Sequence, residues 1–403
     1  MSQVESPRRA SAGLLFLLGG LAALGALSTN IMLPSFPAIA QALQADAQGM
    51  GLILSSFFIT FALGQLLVGP LADTFGRKPL VLGGLLVFVI GSALCGLAES
   101  LPVLLAGRVV QALGVCAVSV LARAIARDLF DGEALAKVLV FTMVIMASAP
   151  GFSPLIGGLL DTAFGWRAAF VFVGALSVLV GGLYVVRVGE TLPWIMRSPI
   201  SLGMVARGYL GLLGDWRFTR PALAVGLVIG ALYAFFASAP GVLMGQLGLS
   251  ALQLGVFFAL TVLVVFAAGL LSPRLVHRFG AAKVMPAGAG LALLGALLLM
   301  AWAHSLTLLS FSLAMTVFLF GMGLANPVGT AVALQPFPRQ AGLASALIGF
   351  LQMGMAAVAS SLALSLPQLA SVSLAQVLAL ATGAALVLFL LPAAREKVAP
   401  VAS

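Results

Sequence analysis

One arginine lies within a long apolar stretch of this sequence, where charged side chains are rare. Arg108 is flanked on both sides by Leu, Val, Ala and Gly residues. A guanidinium inside a bilayer is unfavourable by about 3 kcal/mol or more, so it persists where it faces water and a partner within the protein. Gln111 follows three residues later, on the same face of a helix. The pair predicts a polar site, unless the Arg108 side chain instead extends to the nearby interface.

Carboxylates that could pair with Arg108 or carry a proton are scarce in the apolar stretches. Asp46 and Glu99 fall in short turns, and Asp161 comes near the end of an apolar stretch. Asp161 is therefore the candidate for proton coupling, together with Arg108. A carboxylate at a helix end also suits a plain interfacial position, and that alternative stays open.

Other polar and aromatic side chains are spread through the apolar stretches and predict the lining of a cavity. Polar groups in a bilayer usually face the protein interior, although each one alone also fits ordinary packing. The predicted substrate-binding residues are Asn30, Gln65, Arg108, Gln111, Tyr233, Phe236, Asn326, Gln335 and Gln352.

Residue groups typical of catalysis are missing from the sequence. It contains no metal-ligand spacing, no nucleophile paired with a base and no phosphate-binding loop, and His277 and His304 are its only histidines. Cys95 and Cys116 lie in apolar stretches and suit packing. We therefore expect neither enzyme activity nor a metal or other cofactor; a membrane-embedded enzyme or receptor is the alternative from another class.

The elements that position these residues are membrane-spanning helices. Of 403 residues, 62% are hydrophobic and 8% are charged, with a mean hydropathy of +1.19, whereas about 25% of the residues of a soluble domain are charged. Apolar runs of about twenty residues predict twelve spans. Their predicted bounds are 13–33, 50–71, 80–98, 102–124, 137–160, 167–187, 219–243, 252–275, 284–303, 306–329, 340–364 and 372–391.

Basic residues mark one side of these spans. With both termini cytoplasmic, eighteen of the twenty Lys and Arg residues fall in cytoplasmic segments, and Arg108 and Arg167 are the exceptions. The positive-inside rule therefore supports twelve spans with cytoplasmic ends. The net charge of +9 comes from these scattered loops, and because they form no continuous stripe with aromatics we expect no nucleic-acid partner.

The longest connection, residues 188–218, lies near the middle of the chain. It divides a predicted six-helix bundle of residues 1–187 from a second one of residues 219–403, and it is either a short surface helix or a flexible cytoplasmic linker. Residues 71–76 (LADTFG) recur as residues 275–280 (LVHRFG), 204 residues later. Such repeats place a transport site between the halves, near the midplane.

A charged turn between the second and third spans carries the most specific motif. Residues 69–79 read GPLADTFGRKP, and the pattern G-x-L-x-D-x-x-G-R-K resembles a loop of the major facilitator superfamily, a family of alternating-access transporters. The resemblance implies an all-α integral membrane protein with twelve transmembrane helices in two pseudo-symmetric six-helix bundles. It also implies conformational roles for Gly69, Asp73, Gly76 and Arg77. We expect Asp73 to cap the eleventh span, after Pro338, and to hold the cytoplasmic side closed.

Two further motifs fall inside spans. Residues 108–114 (RVVQALG) resemble the R-x-x-Q-G-x-G element of proton-coupled facilitators, with Ala112 replacing the first Gly. Residues 149–158 (APGFSPLIGG) resemble an element of the antiporter members of the superfamily. In this second motif, a bend or a tight seal is predicted at Pro150, Pro154, Gly157 and Gly158.

A branch of the superfamily is indicated by residues 28–37 (STNIMLPSFP). They resemble the S-T-D-x-x-L-P-x-x-P signature of the bicyclomycin and chloramphenicol resistance (Bcr/CflA-like) branch of the twelve-helix drug:proton antiporters. The resemblance extends to residues 123–128 (RAIARD), which include Arg127 as a further expected gating residue, and to residues 165–170 and 326–352. Asn30 stands where the branch usually has Asp, and an amide cannot carry a proton.

The resemblance implies a monomeric exporter of a small amphiphilic drug or metabolite, working by alternating access and proton antiport in a bacterial inner membrane. Because Arg108 lacks an obvious carboxylate partner, we expect a carboxylate-bearing cargo. The Asn30 substitution favours the alternative of an uncoupled or symport-type metabolite transporter.

Overall fold

A computed structural model describes residues 11–197 and 201–392 of the chain. Within these residues, twelve helical segments are long and apolar enough to cross a membrane, and no β-strand is present. The predicted all-α fold with twelve spans is confirmed. The basic residues predicted at the cytoplasmic termini, Arg8, Arg9, Arg395 and Lys397, lie outside the described residues.

The helices, in chain order, are α1 Ala12–Asn30, α2 Phe36–Leu43, α3 Ala47–Phe75, α4 Arg77–Gly96, α5 Leu101–Leu129, α6 Gly132–Phe164, α7 Arg167–Arg187, α8 Leu202–Gly214, α9 Trp216–Ala239, α10 Ala251–Phe279, α11 Ala281–Trp302, α12 Leu308–Leu334, α13 Ala341–Ser365 and α14 Ala370–Leu390. A 3₁₀ turn, Leu33–Ser35, joins α1 to α2, and a π-helical turn, Pro240–Gln246, extends α9. Of the two alternatives for residues 188–218, the structure contains a helix, α8.

Several of these helices begin at side-chain caps that the sequence provides. The Asp46 carboxylate accepts the backbone N–H of Gly49 at 2.7 Å, and Ser250 and Thr307 each form a capping box at the start of α10 and α12. Such caps satisfy backbone donors that have no partner within the helix. They fix where three of the spans start.

Two equivalent glycines end α3 and α10 and allow an immediate reversal into the next helix. Gly76 has φ of +95° and Gly280 has φ of +82°, conformations that favour glycine. We call the end of the bundle that carries Lys78, Lys137, Arg187 and Arg278 the basic end. The other end, which carries Glu99, Gly165 and His304, is the opposite end.

The two halves repeat the same close helix packing. Gly84 and Gly91 bring α4 against α5, and a Cβ at either would collide with the α5 backbone at Gly114 or Gln111. Gly288 and Gly295, which lie 204 residues later, bring α11 against α12 in the same way. Small residues allow helix backbones to approach in a bilayer. The halves are thus pseudo-symmetric in packing as well as in sequence.

Contacts between the halves run along two helix pairs, α3 with α13 and α6 with α10. Glycines of α6 make the second contact close. Gly158 packs on the Ala251 carbonyl toward the opposite end, and Gly151 packs on Val262 nearer the middle of the helices. Gly157 packs on the backbone of Ile31, after α1. The opposite end is therefore closed in this conformation.

Candidate functional site

Arg108 lies fully buried in the third turn of α5, as the sequence predicts. Its Nη1 donates to the Oε1 of Gln111 at 2.5 Å and to the backbone carbonyl of Ser28 at 3.3 Å. The guanidinium carbon lies 4.2 Å from the centre of the Phe57 ring, a cation–π distance. Arg108 thus contacts α1, α3 and its own helix, and it does not extend to the interface.

Gln111 is held so that its carbonyl oxygen faces Arg108. Its Nε2 donates to the Ser92 hydroxyl at 2.9 Å, and that hydroxyl donates in turn to the carbonyl of Phe88 at 2.8 Å. The chain of donors fixes which end of the amide faces the guanidinium. Gln111 is therefore a positioning residue for Arg108.

One edge of the Arg108 guanidinium has no partner among the described residues. Nε and Nη2 are buried and make no hydrogen bond there, and the same holds for Oδ1 of Asn30. Asn30 uses its Nδ2 to donate to the Ala26 carbonyl at 2.8 Å. Nε and Nη2 together form the edge with which Arg binds a carboxylate through two parallel hydrogen bonds. Leaving them unpaired in a buried site is unfavourable.

Aromatic rings extend this site from the first half into the second. The ring of Phe57, under Arg108, contacts Phe58 at 6.2 Å between centroids, and Phe58 contacts Tyr233 of α9 at 4.6 Å. Tyr233 in turn contacts Phe236 at 5.7 Å. Two of the predicted substrate-binding residues thus belong to an aromatic wall that reaches Arg108.

A polar layer lies further toward the basic end. Nε2 of Gln352 donates to Oδ1 of Asn326 at 3.4 Å, which joins α13 to α12. Gln65 is buried where α3 meets α13, so close to Gly349 that a Cβ there would collide with its side-chain oxygen. At a rise of about 1.5 Å per residue, Gln65 lies roughly 12 Å along α3 from Phe57. The structure therefore separates the predicted lining into two layers.

Gln335 is placed apart from both layers. It follows the last residue of α12 at the basic end and lines a cavity of about 380 Å³ between α10, α11 and α12. The other walls include Ser272, Pro273, Val276, Ala281 and Ala331. The sequence groups Gln335 with Arg108 because both are polar residues in or next to spans. Residue type does not indicate how deep a side chain lies in the membrane.

Asp161 lies at the opposite end, in the last turn of α6. Its carboxylate is near the hydroxyl of Ser35, a buried residue of the turn after α1. Among the described residues, Asp161 forms no ion pair with Arg108. A proton held by Asp161 would act on the site through the α1–α6 contact and not through direct pairing.

Two of the predicted gating residues, Asp73 and Arg77, form a charged network with Asp128 within the first half. Nη1 of Arg77 pairs with Asp73 at 2.7 Å, and its Nε pairs with Asp128 at 3.1 Å. The Asp73 side chain is 57% exposed, and no side chain caps α13. In this conformation Asp73 does not make the expected contact with α13, which is the eleventh span. Arg127, one residue from Asp128, is exposed.

Glu190 completes this network and was not predicted. Its carboxylate accepts the backbone N–H groups of Arg77 at 2.9 Å and Lys78 at 3.3 Å, at the start of α4. Partial burial raises the pKa of Glu190, but hydrogen bonds from Leu192, Arg77, Lys78 and Thr191 lower it by more, so the net pKa lies below its ordinary value. The sequence shows an acidic residue soon after a span, which is compatible with a helix cap. It does not indicate which helix this residue caps.

Known proteins are similar to this chain over most of its length. The family model described as "Major Facilitator Superfamily" matches residues 18–360. The chain is 31% identical to "Multidrug resistance protein D" of Escherichia coli (strain K12) over 96% of this chain and 97% of that protein. It is also 31% identical to "Chloramphenicol resistance protein" of Pseudomonas aeruginosa, over 84% and 81% of the two chains.

Solved structures share the fold at lower identity. The human organic anion transporter MFSD10 superposes with a TM-score of 0.66 at 19% identity, over 94% of this chain and all of that one. A D-xylose–proton symporter superposes with a TM-score of 0.72 at 17% identity, over 92% and 95% of the two chains. At these identities the likeness concerns the fold alone.

Proposed function

This chain belongs to the major facilitator superfamily, and from that premise we propose that it exports a small, carboxylate-bearing amphiphile by alternating access. Similar proteins named for multidrug and chloramphenicol resistance support export of a drug-like compound. The basic end faces the cytoplasm of a bacterial inner membrane in this proposal, because Lys and Arg favour that side.

One observation carries the preference for a carboxylate. Arg108 is buried and positively charged, and its Nε–Nη2 edge has no partner among the described residues. A carboxylate on the cargo would supply two charge-assisted hydrogen bonds to that edge. The Phe57 ring covers one face of the guanidinium and leaves the edge for planar recognition.

The layered lining supports an entry route from the basic end. The cargo would first meet Gln65, Asn326 and Gln352, whose amides can hydrogen-bond uncharged polar groups. Its apolar part would then lie against Phe58, Tyr233 and Phe236. Because Arg108 is fully enclosed here, the carboxylate would reach it as the two halves rearrange.

Proton antiport is part of this proposal, with Asp161 as the proton carrier and a monomer as the working unit. A second candidate is an uncoupled or symport-type metabolite transporter. Asn30 favours it, because the site around Arg108 contains no titratable carboxylate among the described residues.

Flux from liposomes tests the carboxylate preference and the coupling together. Three cargoes with one apolar scaffold would be compared, carrying a carboxylate, a carboxamide or an amine, each with and without a pH gradient. We expect the carboxylate to be transported best, and the gradient to raise its flux if protons are exchanged. A flux that is independent of the gradient would favour the uncoupled form of the second candidate, and a flux that rises when the gradient is reversed would favour its symport form.

The Arg108→Lys variant locates the selectivity. It keeps the charge but loses the planar edge, so carboxylate flux should fall roughly tenfold or more, while carboxamide flux changes little. Arg207→Lys, an exposed substitution on α8, is the matched control. Preferred transport of the amine that survives Arg108→Lys would show that this site does not select a carboxylate.

A further inference from the structure

Three basic side chains form a patch around the turn that joins α10 to α11. Arg274 and Arg278 lie in the last turns of α10, and Lys283 lies in the first turn of α11, across the Gly280 turn. All three are exposed. We call these three residues the basic patch.

The basic patch continues the surface of the spans that faces lipid. Arg274 follows Leu270 by four residues, and Leu270 is 73% exposed; Arg278 follows the exposed Leu271 by seven. On α11, Lys283 precedes the exposed Leu294 by eleven residues. Spacings of four, seven and eleven keep residues on one face of a helix. The patch therefore lies where the lipid-facing surface reaches the basic end.

No acidic residue lies among the described residues of the second half to neutralise this patch. The sequence has no Asp or Glu from residue 216 to residue 395. Among the described residues, none of the three makes an ion pair, and the Arg278 guanidinium lies 5.3 Å from the ring centre of Phe279. In the first half, by contrast, Arg77 and Lys137 pair with carboxylates.

The internal repeat shows that the patch is a feature of the second half only. The residues 204 positions earlier, at the equivalent turn, are Pro70, Thr74 and Pro79, all uncharged. That turn also carries basic residues, Arg77 and Lys78, but at other positions, so the turn geometry does not require basic residues at the three positions of the basic patch. Their position beside exposed leucines calls for a partner with negative charge and apolar surface.

We propose that the basic patch binds the anionic headgroup of a phospholipid in the bilayer leaflet at the basic end. Basic clusters at this depth attract anionic lipid, and the two arginines can bind phosphate oxygens through paired N–H groups. The acyl chains would lie along Leu270, Leu271 and Leu294. This site is separate from the residues around Arg108 and does not depend on the proposed cargo.

Native mass spectrometry of the full chain in detergent tests the assignment. Dioleoylphosphatidylglycerol and dioleoylphosphatidylcholine have the same acyl chains and differ in headgroup charge. We expect the first bound molecule of phosphatidylglycerol to bind roughly tenfold more tightly than the first bound molecule of phosphatidylcholine. Replacing the basic patch by Arg274→Gln, Arg278→Gln and Lys283→Gln should remove that difference and leave phosphatidylcholine binding unchanged.

The matched control removes three exposed basic residues outside the patch, by Lys137→Gln, Arg207→Gln and Arg339→Gln. It should keep the preference for phosphatidylglycerol. Equal losses in both triple variants would assign the preference to overall charge, and no loss in the patch variant would reject the site. Displacement by glycerol 3-phosphate or by dodecanoate would show a free-anion or fatty-acid site and would also overturn the lipid assignment. Unchanged thermal unfolding midpoints would confirm that both variants are folded.

Discussion

At the scale of single residues, Asn30 carries a buried polar atom close in sequence to a partner of the buried arginine. Its Oδ1 is fully buried without a hydrogen bond among the described residues, two positions after Ser28, whose carbonyl accepts from Arg108. In Asn30→Asp, the introduced carboxylate must either take up a proton or attract the guanidinium. Its protonation state therefore becomes coupled to the site.

We expect Asn30→Asp to add a pH dependence of transport that the unaltered protein lacks, and to weaken the binding of a carboxylate cargo, because the new carboxylate competes for Arg108. Initial flux measured from pH 5 to pH 9 checks this. Asn326→Asp is the control, since it adds a carboxylate in the polar layer away from Arg108. A pH profile of Asn30→Asp that matches the profile of the unaltered protein, or the same change in Asn326→Asp, would contradict a specific coupling to Arg108.

The contacts within one helix were accessible from the sequence, and those between helices were not. Arg108 and Gln111 were expected on one face because three residues separate them, and the structure joins them directly. Gln335 was grouped with Arg108 only by residue type, and it lies at the basic end. Asp161 was expected near the end of its span, and it lies there, at the opposite end. The residue type indicates how unfavourable a side chain is in a bilayer. The depth of that side chain depends on which helices pack together.

At the scale of elements, α8 reaches back from the linker to the first half. The hydroxyl of Tyr209 donates to the backbone carbonyl of Leu66 at 2.9 Å. That carbonyl has no donor within α3, because Pro70, four residues later, lacks an N–H. On the same face, three residues after Tyr209, Leu212 packs into a cluster with Leu347 and Ile348 of α13. The hydrogen bond thus joins the linker to the first half while α8 rests on the second.

We expect Tyr209→Phe to loosen α8 by about 1 kcal/mol, the usual contribution of one such hydrogen bond. Burial raises the pKa of Tyr209 to about 12, so the effect should be the same from pH 6 to pH 9. Amide hydrogen exchange in α8 should become about fivefold faster. Pro70→Ala restores a donor to Leu66, so adding Tyr209→Phe to it should have little further effect. Equal effects in both backgrounds would exclude this hydrogen bond as the cause.

Helix existence was predictable at this scale, and helix ends were less so. Hydropathy gave twelve spans, but α3 runs to Phe75 where the apolar run ends at 71, and α6 begins at Gly132 instead of 137. Backbone hydrogen bonds continue through the charged residues that end an apolar run. The linker left a choice between helix and coil because its residues 188–218 mix basic, aromatic and glycine residues.

At the scale of the whole molecule, the pairing of helices was not readable from the sequence. Most spans are apolar on all sides, so neither lipid nor a neighbouring helix leaves a distinct stripe. The repeat of 204 residues predicted two related halves, and the packing glycines show the same relation. It did not show that α6 meets α10 across the halves.

That contact also indicates how the basic end would close. Gly151 of α6 touches Val262 of α10, and the helix faces that carry these two residues continue toward the basic end. The face of α10 reaches Val276, which lies in the wall of the 380 Å³ cavity. The face of α6 reaches Val144 and then Val140, which is 61% exposed. When the opposite end opens, rotation of the halves should bring these valines of α6 into the cavity wall, since buried apolar surface favours the closed state.

A cysteine pair tests this closure. With Cys95 and Cys116 replaced by Ala, Val140→Cys and Val276→Cys should cross-link through a short bifunctional thiol reagent when cargo or a pH gradient drives the opposite end open. The control pair, Val140→Cys with Leu270→Cys, should not, because Leu270 lies on the lipid-facing side of α10. Cross-linking of both pairs would indicate random collision, and cross-linking of neither under any gradient would mean that α6 does not enter this cavity. The cavity wall is largely apolar, whereas the equivalent turn of the first half carries the ion pairs of Arg77. High salt screens exposed ion pairs. The α6–α10 contact at the basic end should therefore form equally well at high salt.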